Sequence, residues 1–279
     1  MNPEEKSIAV KKFMDLHECN IEDHVYGKVG GIELVATIYT PKIKPSELTK
    51  AIVYVHGGGW VGGGRDHFNS HGAYFASKGI VGVCITYRLV PDHKFPAQIQ
   101  DANCAIRWTR KNTQELNIDP NEIYVCGSSA GGHIAGIVAY AGAVNAFDAA
   151  GGNEGVSSDV KGAILFCGYY ESREDILEPR APKPNKVSYF GGTYDEIPEV
   201  YQQASCVSYV NKHSPRTLLF HGDADGTVSF EHSKKLKDAL DLNNVENQLI
   251  VENGGSHTDY SFEKAAFMTT LKEMEKFIL

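Results

Sequence analysis

A serine hydroxyl set between two glycines is the feature of this chain best suited to chemistry. Ser129 stands at the centre of Gly127-Ser128-Ser129-Ala130-Gly131, a GxSxG string that follows the strand-like run 122–126 and opens the helix-like run 132–142. In that context the string predicts a tight strand-to-helix turn that lifts the hydroxyl above a sheet edge. The second neighbours on each side must then be tiny, so that the backbones can pass. Gly127 and Gly131 meet that need, and Ser129, unlike its competitor Ser128, has glycine at both second neighbours. The positive end of the following helix would favour negative charge developing there. Such a string arises readily in glycine-rich turns, so its meaning depends on partners elsewhere.

A serine hydroxyl is a weak nucleophile at neutral pH and needs a histidine base held by an acid. Both residue types occur directly after late strand-like runs. Run 216–220 leads into His221-Gly222-Asp223-Ala224-Asp225-Gly226-Thr227-Val228, and run 248–251 into Glu252-Asn253-Gly254-Gly255-Ser256-His257. Side chains leaving the ends of parallel strands can converge on one rim. His257 is the predicted base, since His221 follows its strand at once and reads as structural. Asp225 is the predicted acid because it lies deeper in its loop. Asp223 is better suited to ordering the turn through backbone N–H groups, and Asp259 is a weaker third candidate.

The negative charge of an acyl-transfer intermediate also needs donors. His56-Gly57-Gly58-Gly59-Trp60 follows run 51–55, and consecutive glycines there can turn their N–H groups inward. Gly58, Gly59 and Ala130 are the predicted oxyanion-hole donors, with His56 fixing the loop. A phosphate cradle would need a downstream GK[ST], which Gly62-Gly63-Gly64-Arg65 does not supply.

The elements that must position these groups read as alternating strands and helices. Strand-like runs rich in β-branched and aromatic residues recur at 32–39, 51–55, 80–87, 122–126, 161–167, 216–220 and 248–251. Helical spacing appears at 95–113, 229–242 and 259–279. The alternation predicts an α/β fold with a mostly parallel central sheet, helices on both faces and the first strands able to pair antiparallel. One domain over 1–279 is expected. Segment 142–159 reads as a loop, and segment 168–215, broken by Pro179, Pro182, Pro184 and Pro198, as a small lid or substrate-binding insertion.

Composition removes several classes. The net charge is −8 and no basic cluster exceeds a pair, so a nucleic-acid partner is not expected. No stretch approaches the length of a spanning helix and the start lacks a secretory core, which predicts a cytoplasmic chain without a membrane partner. The six cysteines do not pair as CxxC and read as small core residues. The histidines are scattered, so no metal is expected, and acyl transfer by these residues requires no cofactor. Oligomeric state is not legible.

Together the motifs HGGGW at 56–60, YRLVPDHKFPAQIQDA at 87–102, GSSAGG at 127–132, HGDADGTV at 221–228 and GGSH at 254–257 resemble the α/β-hydrolase superfamily. Within it they are most similar to hormone-sensitive-lipase-like and feruloyl- or acetyl-esterase-like carboxylesterases. The resemblance runs from about Val25 to the C-terminus and has the chain order Ser, Asp, His. It implies Ser129 as nucleophile, Asp225 as acid, His257 as base and an oxyanion hole at Gly58, Gly59 and Ala130, with Arg88 and Asp101 as scaffold. The chain departs from the family in having Ser128 where an acidic residue is common, and in an N-terminal region too short for a full helical cap. The expected activity is hydrolysis of small short-chain or aromatic carboxylic esters through an acyl-enzyme. Carbohydrate acetyl- or feruloyl-ester hydrolysis and arylformamidase activity are the alternatives, and an inactive binding protein on this fold is a remote one. Trp60 and Tyr169 are the expected substrate-binding residues, with Tyr170, Tyr189, Phe190 and Tyr194 as further candidates for the walls.

Overall fold

A computed structural model of the chain describes residues 2–142, 147, 151–173, 184–257 and 266–279. In chain order its elements begin with α1 (Pro3–Asp15), β1 (Cys19–Val29), β2 (Ile32–Pro41), β3 (Thr49–Val55), α2 (Asn69–Ser77) and β4 (Val81–Ile85). They continue with α3 (Ala97–Lys111), α4 (Thr113–Leu116), β5 (Ile118–Ser128), α5 (Ala130–Ala141) and β6 (Gly162–Phe166). The last are α6 (Pro184–Phe190), α7 (Pro198–Gln203), β7 (Arg216–Gly222), α8 (Glu231–Leu242), β8 (Asn247–Glu252) and α9 (Phe267–Ile278).

The strands form one eight-stranded sheet in the order β1-β2-β4-β3-β5-β6-β7-β8. Pairing is antiparallel between β1 and β2 and between β2 and β4, and parallel everywhere else. The expected α/β architecture is therefore observed. Side chains alternate faces along a strand, and the central strands use both faces for burial. In β3, Ala51, Val53 and Val55 join one core cluster, and Ile52 and Tyr54 join the other. The first cluster lies under α3, α5 and α8, the second under α2 and α9 with Phe13 and Met14 of α1 at its margin. Burying both faces explains why these runs read as continuous apolar stretches.

Two expectations need adjustment. The sequence pattern left out β1, α1 and α2, and it started β5 four residues late. Edge strand β1 exposes most of its side chains, Ile21 and Val25 among them, so it carries no clean alternation. Helix α2 is buried on nearly all sides and has no polar face to reveal a helical period. The described residues of 168–215 hold α6, α7 and a 3₁₀ turn at Cys206–Tyr209. Pro198 lies in the first turn of α7, where its missing N–H costs no hydrogen bond. Pro179, Pro182 and Asp259 lie outside the described residues.

Candidate active site

The serine turn forms as its residue types require. Ser129 adopts φ 56° and ψ −119°, a backbone region that costs a non-glycine residue about 1–3 kcal/mol. Its N–H donates to the Phe166 carbonyl at 2.8 Å, and its carbonyl accepts from the His133 N–H at 3.0 Å, so both sides of the turn are fixed. A Cβ on Gly127 would collide with the Gly131 carbonyl, and one on Gly131 with the carbonyls of Val55 and His56. The two glycines thus let the start of α5 pack directly against the end of β3.

That contact brings the 56–64 loop beside the serine. The buried His56 ring stacks on Tyr87 at 4.1 Å, its Nδ1 bonds the Gly57 carbonyl at 2.7 Å, and the Tyr87 hydroxyl donates to the His56 carbonyl. Burial lowers the His56 pKa, so the ring is a neutral brace. A Cβ on Gly57 would lie 3.4 Å from the Ser129 Cβ, which measures how closely the loop approaches. Gly58 and Gly59 take φ 121° and 59°, conformations that favour glycine. Among the described residues, no backbone acceptor is found for the N–H groups of Gly58, Gly59 and Ala130. Asn185 Nδ2 donates to the Gly59 carbonyl at 3.2 Å and anchors the loop to α6.

Beyond β7 and β8, two loops are joined to each other. The Asp223 N–H donates to the Glu252 carbonyl, the Ala224 N–H to that of Gly255, and the Gly254 N–H to Asp223 Oδ1 at 2.6 Å. His257 is thereby set between the acid and the serine. Its Nδ1 bonds Asp225 Oδ2 at 2.6 Å and its Nε2 lies 2.9 Å from Ser129 Oγ. An anionic carboxylate can only accept, so Nδ1 carries the proton and Nε2 faces the hydroxyl as the basic nitrogen.

Asp225 receives four donors. Oδ1 accepts from the N–H groups of Thr227 and Val228, and Oδ2 from His257 and from His221 Nε2 at 3.1 Å. Burial opposes its charge, yet the donors from His221, His257 and Val228 hold its carboxyl well below the usual carboxylate range. Burial likewise opposes charge on His257, but Asp225 and the adjacent Cys167 side chain outweigh it and raise the imidazole pKa. Cys167, Asp225 and His257 place three potential metal-ligand atoms within 4.8 Å of one another, a grouping their sequence spacing gave no sign of. Two of those atoms, Nδ1 and Oδ2, already engage each other.

The structure brings Ser129, His257, Gly58, Gly59, Ala130, Trp60 and Tyr169 to the wall of one cavity of about 650 Å³, with Asp225 behind His257. Trp60 stacks on Tyr189 at 4.4 Å, and Tyr169 lies under the Lys186 ammonium at 4.6 Å. Tyr170, Tyr189, Phe190 and Tyr194 do not line that cavity; the first three are buried behind it. The sequence reading missed Asn185 and Lys186 on α6, His67, Phe68 and His71 before and within α2, and Lys6 and Val10 on α1. None sits in a spacing that marks a site; only topology brings them there.

Comparison with known proteins gives a consistent picture. The family model described as BD-FAE matches residues 36–240. Carboxylesterase NlhH of Mycobacterium tuberculosis is 38% identical over 125 residues, covering 44% of this chain and 39% of that protein. Esterase LipC of the same organism is 28% identical over 207 residues, covering 73% and 51%. The chain thus spans about half or less of the length of these curated relatives. A thermophilic esterase of Thermogutta terrifontis, Est2, solved with propionate bound, superposes with a TM-score of 0.80 at 30% identity over 92% of this chain and 93% of that one. Est2 is also described with butyrate bound and phosphorylated by paraoxon.

Proposed function

The chain belongs to the BD-FAE family and has the α/β-hydrolase fold, and from that premise we propose that it is a serine carboxylesterase acting on small, short-chain or aromatic esters. The observation that carries this reading is the continuous chain of hydrogen bonds from Ser129 Oγ through His257 to Asp225. His257 Nε2 takes the Ser129 proton as the hydroxyl attacks the ester carbonyl, and Asp225 holds the imidazole tautomer and steadies the imidazolium. The N–H groups of Gly58, Gly59 and Ala130 stabilise the oxyanion, each worth roughly 10²–10³ in rate. The imidazolium then protonates the leaving alcohol, and water, activated by the same ring, releases the acid.

A single domain with segment 168–215 as a substrate-binding insertion fits the way Asn185 and Lys186 enter the cavity from α6. The short-acyl preference is supported by the modest cavity and by the propionate and butyrate bound to Est2. Among the described residues no helix is long and apolar enough to cross a membrane.

Hydrolysis of p-nitrophenyl acetate, butyrate and octanoate, with acetylated-sugar, feruloyl and formanilide substrates alongside, tests the reading. Acetate or butyrate should turn over fastest, paraoxon should add one phosphoryl group at Ser129, and Ser129→Ala should lose at least about 10⁴-fold in kcat. Retention of most activity by Ser129→Ala rejects the mechanism, and dominant octanoate turnover rejects the short-chain preference.

A further inference from the structure

His71 has no place in the acyl-transfer scheme, yet it lines the same cavity as Ser129 and His257. It sits in α2 with only 6% of its surface exposed, and among the described residues neither ring nitrogen has a hydrogen-bond partner. Its neighbours are aromatic. Phe68 and Phe267 meet the ring edge-on at 5.0 and 5.1 Å, and Tyr54 and Phe166 lie at 6.2 and 6.3 Å. Buried polar groups in folded proteins are almost always bonded, so an imidazole held in an aromatic pocket with both nitrogens open marks a place for a polar guest. Burial, reinforced by His67, lowers its pKa to about 3. The ring is therefore neutral and offers one donor and one acceptor.

A hydroxyl group suits either nitrogen, because it can accept from the ring N–H or donate to the bare ring nitrogen. A carboxylate does not: a neutral imidazole offers it one donor, and the surrounding rings do not solvate a charge. A methyl group is no better matched, since it displaces any water held by the ring without replacing its bonds. We propose that His71 is a specificity-determining residue that hydrogen-bonds a neutral hydroxyl on a substrate chain reaching this wall of the cavity. Esters carrying that hydroxyl are then preferred over isosteres ending in methyl. The inference rests on the carboxylesterase reading above and adds a selection rule to it.

The test uses isosteric pairs on both sides of the ester. On the acyl side, p-nitrophenyl 3-hydroxybutanoate is compared with p-nitrophenyl 3-methylbutanoate; on the alcohol side, 3-hydroxypropyl and 5-hydroxypentyl acetates are compared with butyl and hexyl acetates. At least one pair should favour the hydroxylated member by more than about tenfold in kcat/KM, with the difference mainly in KM. His71→Leu should abolish that preference, while His71→Gln, which retains a donor and an acceptor, should keep most of it; both should still hydrolyse p-nitrophenyl acetate. Should His71→Leu fail to fold, the ring ¹⁵N resonances of His71 in the wild-type protein should shift with 3-hydroxybutanoate and stay in place with 3-methylbutanoate. A smaller preference in every pair, a preference that survives His71→Leu, ring resonances indifferent to the hydroxyl, or an equal liking for carboxylate-tipped chains overturns the proposal. Equal turnover of both members overturns the His71 assignment alone, whereas no turnover of any ester and no reaction with paraoxon takes the esterase reading with it.

Discussion

Two buried aspartates, one on each side of the serine turn, are held in different ways. Asp101, in α3, faces Arg88, whose backbone N–H and guanidinium bond both carboxylate oxygens at 2.8–3.0 Å. Asp225, beyond β7, faces two imidazoles and two backbone N–H groups. Neither side chain is exposed, but their acidities move in opposite directions. At Asp101 burial dominates and raises the carboxyl pKa in spite of Arg88; at Asp225 burial is outweighed and the pKa falls. Burial is the largest influence at both; it prevails over Arg88 at Asp101, and the two imidazoles with the Val228 N–H overcome it at Asp225. The difference matches their work. Asp101 ties the strap that follows Arg88 to α3, through Arg88 bonds to the Ala97 carbonyl and Gln100, and that strap meets the Trp60 carbonyl through the Val90 N–H. In the proposed mechanism Asp225 remains anionic while its partner gains and loses a proton.

The sharpest way to break this contrast is Asp225→Asn. The amide keeps the size but offers an N–H where His257 needs an acceptor, so the imidazole turns to the wrong tautomer, and kcat should fall by about 10⁴-fold. The residual activity carries a second signature. Only unprotonated His257 accepts the serine proton, so kcat/KM rises as pH climbs through the His257 pKa, which Asp225 raises above its ordinary value. Loss of the carboxylate lowers that pKa, and the acid limb of the profile should move to lower pH. A limb that stays fixed, measured with a p-nitrophenyl ester, would mean that another group controls it.

Asp101→Asn should invert the pattern. It leaves the nearly buried Arg88 guanidinium without its counter-charge, and breaking a buried pair in this way costs about 3–5 kcal/mol. Urea unfolding should reveal that loss, while kcat per folded molecule stays within about threefold of wild type. A large fall in kcat with unchanged stability would place Asp101 in the chemistry and erase the distinction.

This division was only partly legible in the sequence. Ser129, Gly58, Gly59, Asp225 and His257 stand in short turns after strands, where glycine is demanded by close backbone approach; Gly127 and Gly131 record that demand in residue type alone. The central strands were legible because burial on both faces requires unbroken apolar runs. Asn185, Lys186 and His71 were not, because each reaches the cavity from an element whose local pattern concerns only its own packing. The same holds for the two aspartates' environments. That Asp225 takes four donors depends on where His221 and His257 arrive in space, and no spacing along the chain encodes it.

Asp223 makes the finest test, since it competed with Asp225 for the same role on sequence grounds. It is exposed, and its Oδ1 accepts the Gly254 N–H, which links the acid loop to the base loop. That link is not alone: the Asp223 and Ala224 N–H groups bond the Glu252 and Gly255 carbonyls and remain in any side-chain variant. Asp223→Ala should therefore cost about 1 kcal/mol of stability. It should lower kcat/KM by only a few-fold, through a looser His257. Its acid limb should stay where the wild type has it, because Asp225 still faces His257. If Asp223→Ala instead matched Asp225→Asn in both rate and pH profile, the acid would have been assigned to the wrong end of the loop.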